Sequence, residues 1–589
     1  MAWYEEAIFY HIYPLGLTGA PKQNDYGTPA LRLRQIFPWI GHIKDIGCNA
    51  IYIGPLFESV GHGYETTDYR KLDSRLGENQ DLKDFVAACH AQGIRVVLDG
   101  VFNHTGRDFF AFKDIQKNRE NSPYRDWYCN VNFYGNTEYN DGFSYENWGG
   151  YNLLVKLNQK NPQVRDYIAD VIRFWVREFD IDGIRLDAAD VLDFSFMQML
   201  REVANNVKDD FWLMGEVIHG DYNKWANEGT LHSVTNYQLH KALYSGSNDH
   251  NYFEIAHTVK RLDQMFAGSG VKLYNFVDNH DVERINTKLQ NKGHFNTVHI
   301  LLYTLPGIPS IYYGSEYGIE GRKERGSDDS LRPALELENM PEEEEKLQLL
   351  RKLAQIRGQY PALPKGAYEE LVLTNRQYAF ARDFKGQRLY VAVNNDEADC
   401  EVRIPVRKDC IYCGLLSGEM VRAEGNCLQI KLSAHGGELW VEKEQAAAVL
   451  KEGQRSGHKK EQAVAAVLKE GQRSGHKKEQ AVAAVLKEGQ RSGHKKEQAV
   501  AAVLKEGQTS GQEKEQAVAT TLKEEAPEKK EGEWAVIDRS KSYEEMTISE
   551  LQAVIYEKMA KNGPVTQRMK QDILENVYHN SLVTWAKSF

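Results

Sequence analysis

The stretch GIRLDAAD, Gly183 to Asp190, contains a short apolar run that stops at a charged residue. Three others read the same way: LDGVFNH (Leu98 to His104), WLMGE (Trp212 to Glu216) and FVDNHD (Phe276 to Asp281). Such a run is the pattern of a parallel strand, buried on both faces, whose C-terminal end opens into an active site. Working outward, short β-branched or aromatic runs alternate with amphipathic helical patterns as far as about residue 360. The expected strands are Ile8–Tyr13, Ala50–Gly54, Arg95–Asp99, Gly183–Asp187, Phe211–Glu216, Ser233–Tyr237, Leu273–Asn279 and Ser310–Gly314. Helical patterns such as Asp81–Gln92 and Pro162–Glu178 lie between them. Eight strand–helix units predict an α/β fold, a (β/α)8 TIM barrel over residues 1–104 and 158–360.

Residues 105–157 are too many for a plain connection. Rich in Asn, Tyr, Trp and Gly, they predict a small subdomain inserted after the third strand. Glu342 to Gly358 reads as a charged amphipathic helix, after which the period shortens to two. Tyr378–Asp383, Arg388–Asn394, Cys400–Ile404 and Cys427–Leu432 predict an antiparallel β-sandwich domain over residues 361–443.

Residues 444–526 carry a repeat. EQAVAAVLKEGQRSGHKK recurs nearly verbatim from Glu444 (in a form one residue shorter), Glu461, Glu479, Glu497 and, degraded, Glu515. Each copy joins an Ala-rich helical half to a Gly-containing breaker. This predicts a solvated, partly helical linker, with docking through its basic residues as the alternative. Residues 534–589 predict a helical hairpin. Thr547 to Glu550 form a capping-box pattern, Asn562-Gly-Pro564 breaks the helix, and Leu574, Tyr578, Leu582 and Trp585 mark one stripe. Two helices bury little alone, so they are expected to dock on the enzyme, on a second copy or on another protein.

A chain of 589 residues suggests about two to four domains. A composition of 41% hydrophobic and 27% charged residues is that of a soluble protein. The net charge of -11 argues against nucleic-acid binding and suits a neutral sugar. The N-terminus, MAWYEEAIFYHIYP, lacks the basic and apolar regions of a signal peptide, and no apolar run approaches a membrane span. The seven cysteines are scattered, and the CxxC of Cys410 and Cys413 has no second pair. Free thiols in a reducing cytoplasm are therefore expected, with neither zinc nor disulfide.

The carboxylates at the strand ends point to glycosidic-bond cleavage. A retaining enzyme needs one ionised carboxylate as nucleophile and one protonated carboxyl as acid. Asp187 is the candidate nucleophile, because Arg185 lies two residues earlier on the same strand face and is expected to keep it ionised. Glu216, ending an apolar run, is the candidate acid, and Asp281 a third acid able to grip sugar hydroxyls.

These stretches resemble the principal motifs of the alpha-amylase family of glycoside hydrolases. DGVFNH, GIRLDAAD, GEVIH and FVDNHD occur in the family's order, and HGYETTDY (His62 to Tyr69) and GIPSIYYGSEYG (Gly307 to Gly318) resemble two further motifs. The resemblance spans residues 5 to 440. It implies Asp187 as nucleophile, Glu216 as acid/base and Asp281 as transition-state stabiliser. His104, Arg185 and His280 would surround the same sugar, Tyr64 would stack on it, and Asp99 would support the site from behind. Asp328 and Arg332, in GSDDSLRP, resemble the pair contacting the next sugar. Lys156-Leu-Asn158 resembles the version of a further motif found in the cyclomaltodextrinase, neopullulanase and maltogenic amylase group, whose usual N-terminal β domain has no counterpart before the barrel here. Ile218 stands where that group has Trp, and Val191 where it has Glu, both on the leaving-group side.

The resemblance implies an intracellular retaining hydrolase of α-1,4-linked glucans. A 4-α-glucanotransferase with the same acids is the nearest alternative, and a non-catalytic glucan-binding scaffold a remote one. No cofactor is expected. The calcium of many family members wants oxygen ligands. Asn103 matches one ligand position, but Lys156 replaces the usual Asp and Val191 the usual His, so no metal is expected.

Overall fold

The computed structural model describes residues 2–341, 345–449, 546 and 548–562. The chain divides into two units, Met1–Arg455 and Ser456–Phe589.

The first unit is built on eight parallel strands: β1 (Phe9–Ile12), β2 (Ala50–Ile53), β3 (Arg95–Gly100), β4 (Gly183–Leu186), β5 (Trp212–Gly215), β6 (Ser233–Val234), β7 (Tyr274–Phe276) and β8 (Ile308–Tyr312). Their order is β6-β5-β4-β3-β2-β1-β8-β7. A parallel bridge between Thr235 and Tyr274 joins the two ends and closes the ring. All eight expected strands are present, so the fold is the (β/α)8 barrel. Most end one or more residues before the expected limit, because the residues beyond the last ladder bond turn out into the mouth.

Side chains fill the lumen. Phe9 of β1 stacks on Trp212 of β5 at 5.0 Å and meets Tyr274 of β7 edge-on at 5.4 Å. β1 and β5 are not sheet neighbours, so the Phe9–Trp212 contact crosses the barrel, as layered TIM-barrel packing requires. Alternate residues such as Tyr10 and Ile51 face outward to the helices. The helix Pro162–Phe179 shows why these segments are helical. Asn161 caps it by accepting from the N–H groups of Gln163 and Val164, Pro162 occupies its first turn, and Asp180 in the left-handed region ends it. Its buried residues Val164, Ile168, Val171, Ile172, Trp175 and Phe179 form one stripe.

Two excursions from the barrel shape the mouth. A strand pair, Phe57–Ser59 with Thr66–Leu72, presents Tyr64 at its turn; the sequence reading missed it. The inserted subdomain begins at His104, where the strand His104–Gly106 pairs antiparallel with Tyr151–Lys156.

After the helix Glu345–Gln359, a β domain follows: β9 (Ala367–Leu373), β10 (Gln377–Phe384), β11 (Gln387–Asn394), β12 (Cys400–Pro405), β13 (Ile411–Gly414), β14 (Met420–Arg422), β15 (Cys427–Leu432) and β16 (Gly437–Glu442). A six-stranded sheet, β9-β10-β11-β16-β13-β14, faces the pair β12-β15. The alternation along β10 explains both faces. Ala379 and Ala381 pack towards Val402, Ile404 and Ile430 of the small sheet, while Tyr378 and Phe380 join the barrel core. Four strands, β9, β13, β14 and β16, were not anticipated.

The expected linker beginning at residue 444 starts differently. Residues 443–449 are helical. Gln445 accepts from the Arg388 N–H and donates to the Gly386 carbonyl, both at 3.3 Å, and Ala446 and Val449 pack on the main core. Small apolar residues at helical spacing let the first copy lie against a finished surface. The later copies lie outside the described residues. In the second unit the helix Ile548–Asn562 is present, with Leu551 and Ile555 buried; its expected capping residue Thr547 and the second helix of the hairpin lie outside the described residues. No described helix is long and apolar enough to cross a membrane.

Candidate active site

The acids stand where strands stop. Asp187 follows β4 and its N–H donates to the Gly100 carbonyl at 3.1 Å; Glu216 follows β5 and its N–H donates to Leu186 at 2.9 Å. Ala188 takes a left-handed conformation (φ 46°), unusual for a residue with a side chain. That turn aims the Ala188 N–H at Glu216 Oε2, 3.1 Å away.

Arg185 ties the acids together. Its Nη1 lies 2.9 Å from Asp99 Oδ1 and 2.9 Å from Asp187 Oδ1, and its Nη2 lies 2.8 Å from Glu216 Oε2. Asp99 also accepts from the Tyr52 hydroxyl at 2.8 Å and the Tyr64 hydroxyl at 3.1 Å. Its seat requires Gly54 on the neighbouring strand, where a Cβ would come within 2.4 Å of the Asp99 Cβ.

The opposite side is built around Asp281. Its carboxylate lies 3.0 Å from His280 Nε2 and 2.9 Å from Arg332 Nη2. Arg332 also pairs with Asp328 at 3.3 Å and donates through Nε to the His280 carbonyl at 2.9 Å. Tyr64 hydrogen-bonds His280 Nε2 and lies nearly parallel to its ring, and Tyr13 lies nearly parallel to His280 as well. His104 is buried. Its Nε2 meets the Tyr64 carbonyl at 3.1 Å and its Nδ1 the Asn103 amide nitrogen at 3.3 Å. That pairing fits an imidazole protonated only at Nε2, and burial pushes its pKa down to about 3. Burial and the nearby Arg332 and Arg185 likewise hold His280 well below the ordinary histidine value.

Electrostatics alter one expectation. Asp99, Asp187 and Glu216 all titrate above the ordinary carboxylate range, and desolvation is the largest cause at each. Arg185 pulls all three down, but one guanidinium faces three acids. At Asp187 the charges of Glu216, Asp99 and Asp281 add to the rise. Arg185 therefore does not by itself hold Asp187 ionised, as its place in the strand had indicated. The cluster retains a proton above the usual carboxylate range. Asp99 accepts from Arg185, Tyr52 and Tyr64, whereas Glu216 Oε1 meets the Tyr237 hydroxyl at 3.4 Å.

The positions of the family's calcium do not suit a cation. Lys156 places an ammonium there, paired with Glu146 at 2.5 Å. The Asn103 amide oxygen accepts from Gln159 at 3.4 Å, and Val191 offers no side-chain donor atom.

The structure brings Asp99, Arg185, Asp187 and Glu216 into one cluster and Tyr64, His280, Asp281, Asp328 and Arg332 into an adjoining one, joined through Tyr64. His104 adjoins through the Tyr64 backbone. Tyr13, Tyr52 and Tyr237 escaped the sequence reading. Each lies within or at the end of an expected strand, and that position was the available signal.

A closed barrel that gathers carboxyl groups at the C-terminal ends of its strands has the architecture of a barrel enzyme, and paired carboxyl groups suit cleavage of a glycosidic bond. The alpha-amylase catalytic-domain family matches residues 32–352 and the alpha-amylase C-terminal domain matches residues 366–440. The chain belongs to the alpha-amylase family and is a glycosidase of that family. A cyclomaltodextrinase from Bacillus sp is 31% identical over 428 residues, covering 68% of this chain and 75% of that protein. Neopullulanase 2 of Thermoactinomyces vulgaris is 28% identical over 467 residues, covering 74% and 77%. The native debranching enzyme of Nostoc punctiforme superposes with a TM-score of 0.66 at 28% identity, covering 74% of this chain and 98% of that one.

Proposed function

We propose that this glycosidase hydrolyses α-1,4-glucosidic bonds of maltooligosaccharides, cyclodextrins or dextrins in the cytoplasm, retaining the anomeric configuration. Glu216, as the acid, gives its proton to the departing glycosidic oxygen while the Asp187 carboxylate attacks the anomeric carbon. A covalent glycosyl-enzyme results. Glu216, now ionised, takes a proton from water as that water attacks the same carbon and frees Asp187. Asp281 holds sugar hydroxyls as positive charge develops on the ring. His104, His280 and Tyr64 line the same sugar, Arg185 and Asp99 orient the acids, and Asp328 and Arg332 reach the next sugar. No metal or cofactor takes part in this scheme.

The observation that carries this reading is the single Arg185 guanidinium bonded to both Asp187 and Glu216. It keeps the two carboxyls within the span of one sugar ring. The free state of all seven cysteines supports a reducing compartment. The test is proton NMR of fresh products from maltotriose, β-cyclodextrin and pullulan. The α-anomer is expected first; first appearance of the β-anomer overturns the mechanism.

One observation favours a second reading, 4-α-glucanotransfer. Val191 and Ile218 are exposed beside Asp187 and Glu216, and an apolar lining there disfavours water relative to a sugar acceptor. Products longer than maltotriose from pure maltotriose would mark transfer.

A further inference from the structure

The two carboxyl oxygens of Glu216 are held differently. Oε2 receives the Arg185 guanidinium at 2.8 Å and the Ala188 N–H at 3.1 Å. Neither group can accept a hydrogen bond, so a proton on Oε2 has no partner in them. The proton that Glu216 gives as the acid therefore belongs on Oε1, the oxygen that meets the Tyr237 hydroxyl at 3.4 Å.

The direction of that contact is set by the turn after β7. Asn279 Oδ1 accepts from the backbone N–H groups of Asp281 at 2.8 Å and Val282 at 3.1 Å. Backbone N–H groups only donate, which fixes the amide and leaves its Nδ2 facing Tyr237, 3.2 Å from the hydroxyl oxygen. Nδ2 also only donates, so the hydroxyl accepts from Asn279 and points its own proton at Glu216 Oε1. Three donations thus run one way, from the backbone beside Asp281 through Asn279 and Tyr237 to the acid. The parts are fixed in advance. Asn279 is buried, and Tyr237 opens the helix Tyr237–Asn248, whose cap Asn236 accepts from the Leu239 N–H at 3.1 Å. The Tyr237 ring meets Phe276 edge-on at 4.9 Å. Burial and the charges of Glu216 and Asp281 hold the Tyr237 pKa well above its ordinary value, so the hydroxyl keeps the proton it donates.

At 3.4 Å the Tyr237 bond is long in the free enzyme, as catalytic hydrogen bonds often are before charge develops. It strengthens as Glu216 loses its proton, because a hydrogen bond to a carboxylate is stronger than one to a neutral carboxyl. An interaction that grows during proton transfer lowers the barrier to that step.

We propose that Tyr237 is a positioning residue for the acid, oriented by Asn279 and stabilising the Glu216 carboxylate as its proton passes to the departing glycosidic oxygen. This rests on the reading of Glu216 as the acid. The test compares kcat/KM on maltotriose with kcat/KM on α-maltosyl fluoride, whose fluoride leaves without needing a proton. Glu216→Gln should lose at least about tenfold more on maltotriose than on the fluoride. Tyr237→Phe keeps the ring on Phe276, and near-UV circular dichroism and melting temperature matching the parent check its fold. It should discriminate in the same sense by about three- to tenfold, and the alkaline limb of its kcat/KM profile on maltotriose, set by ionisation of the acid, should move up by about half a pH unit. Added to Glu216→Gln, the same change should cost less than about twofold, because Tyr237 acts through Glu216. Equal losses of Tyr237→Phe on the two substrates, an unmoved alkaline limb, or fully additive losses in the double variant would each overturn the role of Tyr237 while Glu216→Gln still discriminates. Equal losses in Glu216→Gln itself would overturn the acid assignment, and the role of Tyr237 with it.

Discussion

Arg185 and Glu216 meet through Nη2 and Oε2 at 2.8 Å, while the other end of the same guanidinium holds Asp187 and Asp99 at 2.9 Å each. One fixed cation thus sets the positions of three acids donated by three successive strands.

Removing that cation leaves its partners without a counter-charge. Arg185→Leu is expected to lower stability by about 3–5 kcal/mol at neutral pH, the usual cost of breaking a buried pair. The loss should shrink in acid, where the carboxyls are protonated. Urea unfolding at two pH values checks this.

Glu216→Gln should act in the opposite direction on stability. The folded-state pKa of Glu216 lies above its unfolded value. Below about pH 4 both states are protonated and no penalty exists. As pH rises past that point the unfolded chain ionises first, and the fold loses stability until the raised pKa is passed. At neutral pH the neutral variant should therefore be the more stable. Melting curves should show the advantage at pH 7 and its disappearance near pH 4. Turnover should fall by about 10²–10⁴-fold, the worth of a general acid.

Lys156 and its partner Glu146 stand at the position that the family resemblance implies for calcium. Incubation with a chelator is expected to leave kcat unchanged. A reversible loss restored by calcium would contradict that expectation.

Arg382 of β10 joins the two domains from a fully buried position, donating to the carbonyls of Thr304 and Gly366. Arg357, within the barrel domain, donates likewise to the carbonyls of Tyr303 and Gly307. Tyr303 and Thr304 end the helix His294–Thr304, whose dipole favours cations there. Arg382→Ala should cost about 3 kcal/mol through the cavity and the stranded carbonyls. Denaturant unfolding read by tryptophan fluorescence tests it.

Truncation separates the anchored part of the tail from the remainder. A chain ending at Arg455 should keep full activity. One ending at Glu442 should keep activity but melt at a lower temperature, because it loses the contacts of Gln445, Ala446 and Val449.

The strands of the barrel could be read from Gly183–Asp187 and its counterparts because burial on both faces leaves a predominantly apolar run, a local property of composition. β9, β13, β14 and β16 were harder. β9 is only half-buried and β14 is three residues long with exposed ends, so neither carries a full period-two pattern. β16 is nearly continuously buried, so alternation could not mark it. The strand pair carrying Tyr64 was missed because its register shifts between Phe57 and Ser59, which breaks the alternation.

The sequence alone determined which acids end which strands, since a carboxylate after an apolar run is written in the order of residues. Tertiary structure alone decided how those acids behave. Arg185 and Asp187 share a strand, but Asp99 and Glu216 arrive from its two neighbours, and only closure of the ring brings all three acids onto one guanidinium. Proton affinity depends on desolvation and on charges distant in the chain, so the raised proton affinity of Asp187 and Glu216 belongs to the fold and to no single segment of it.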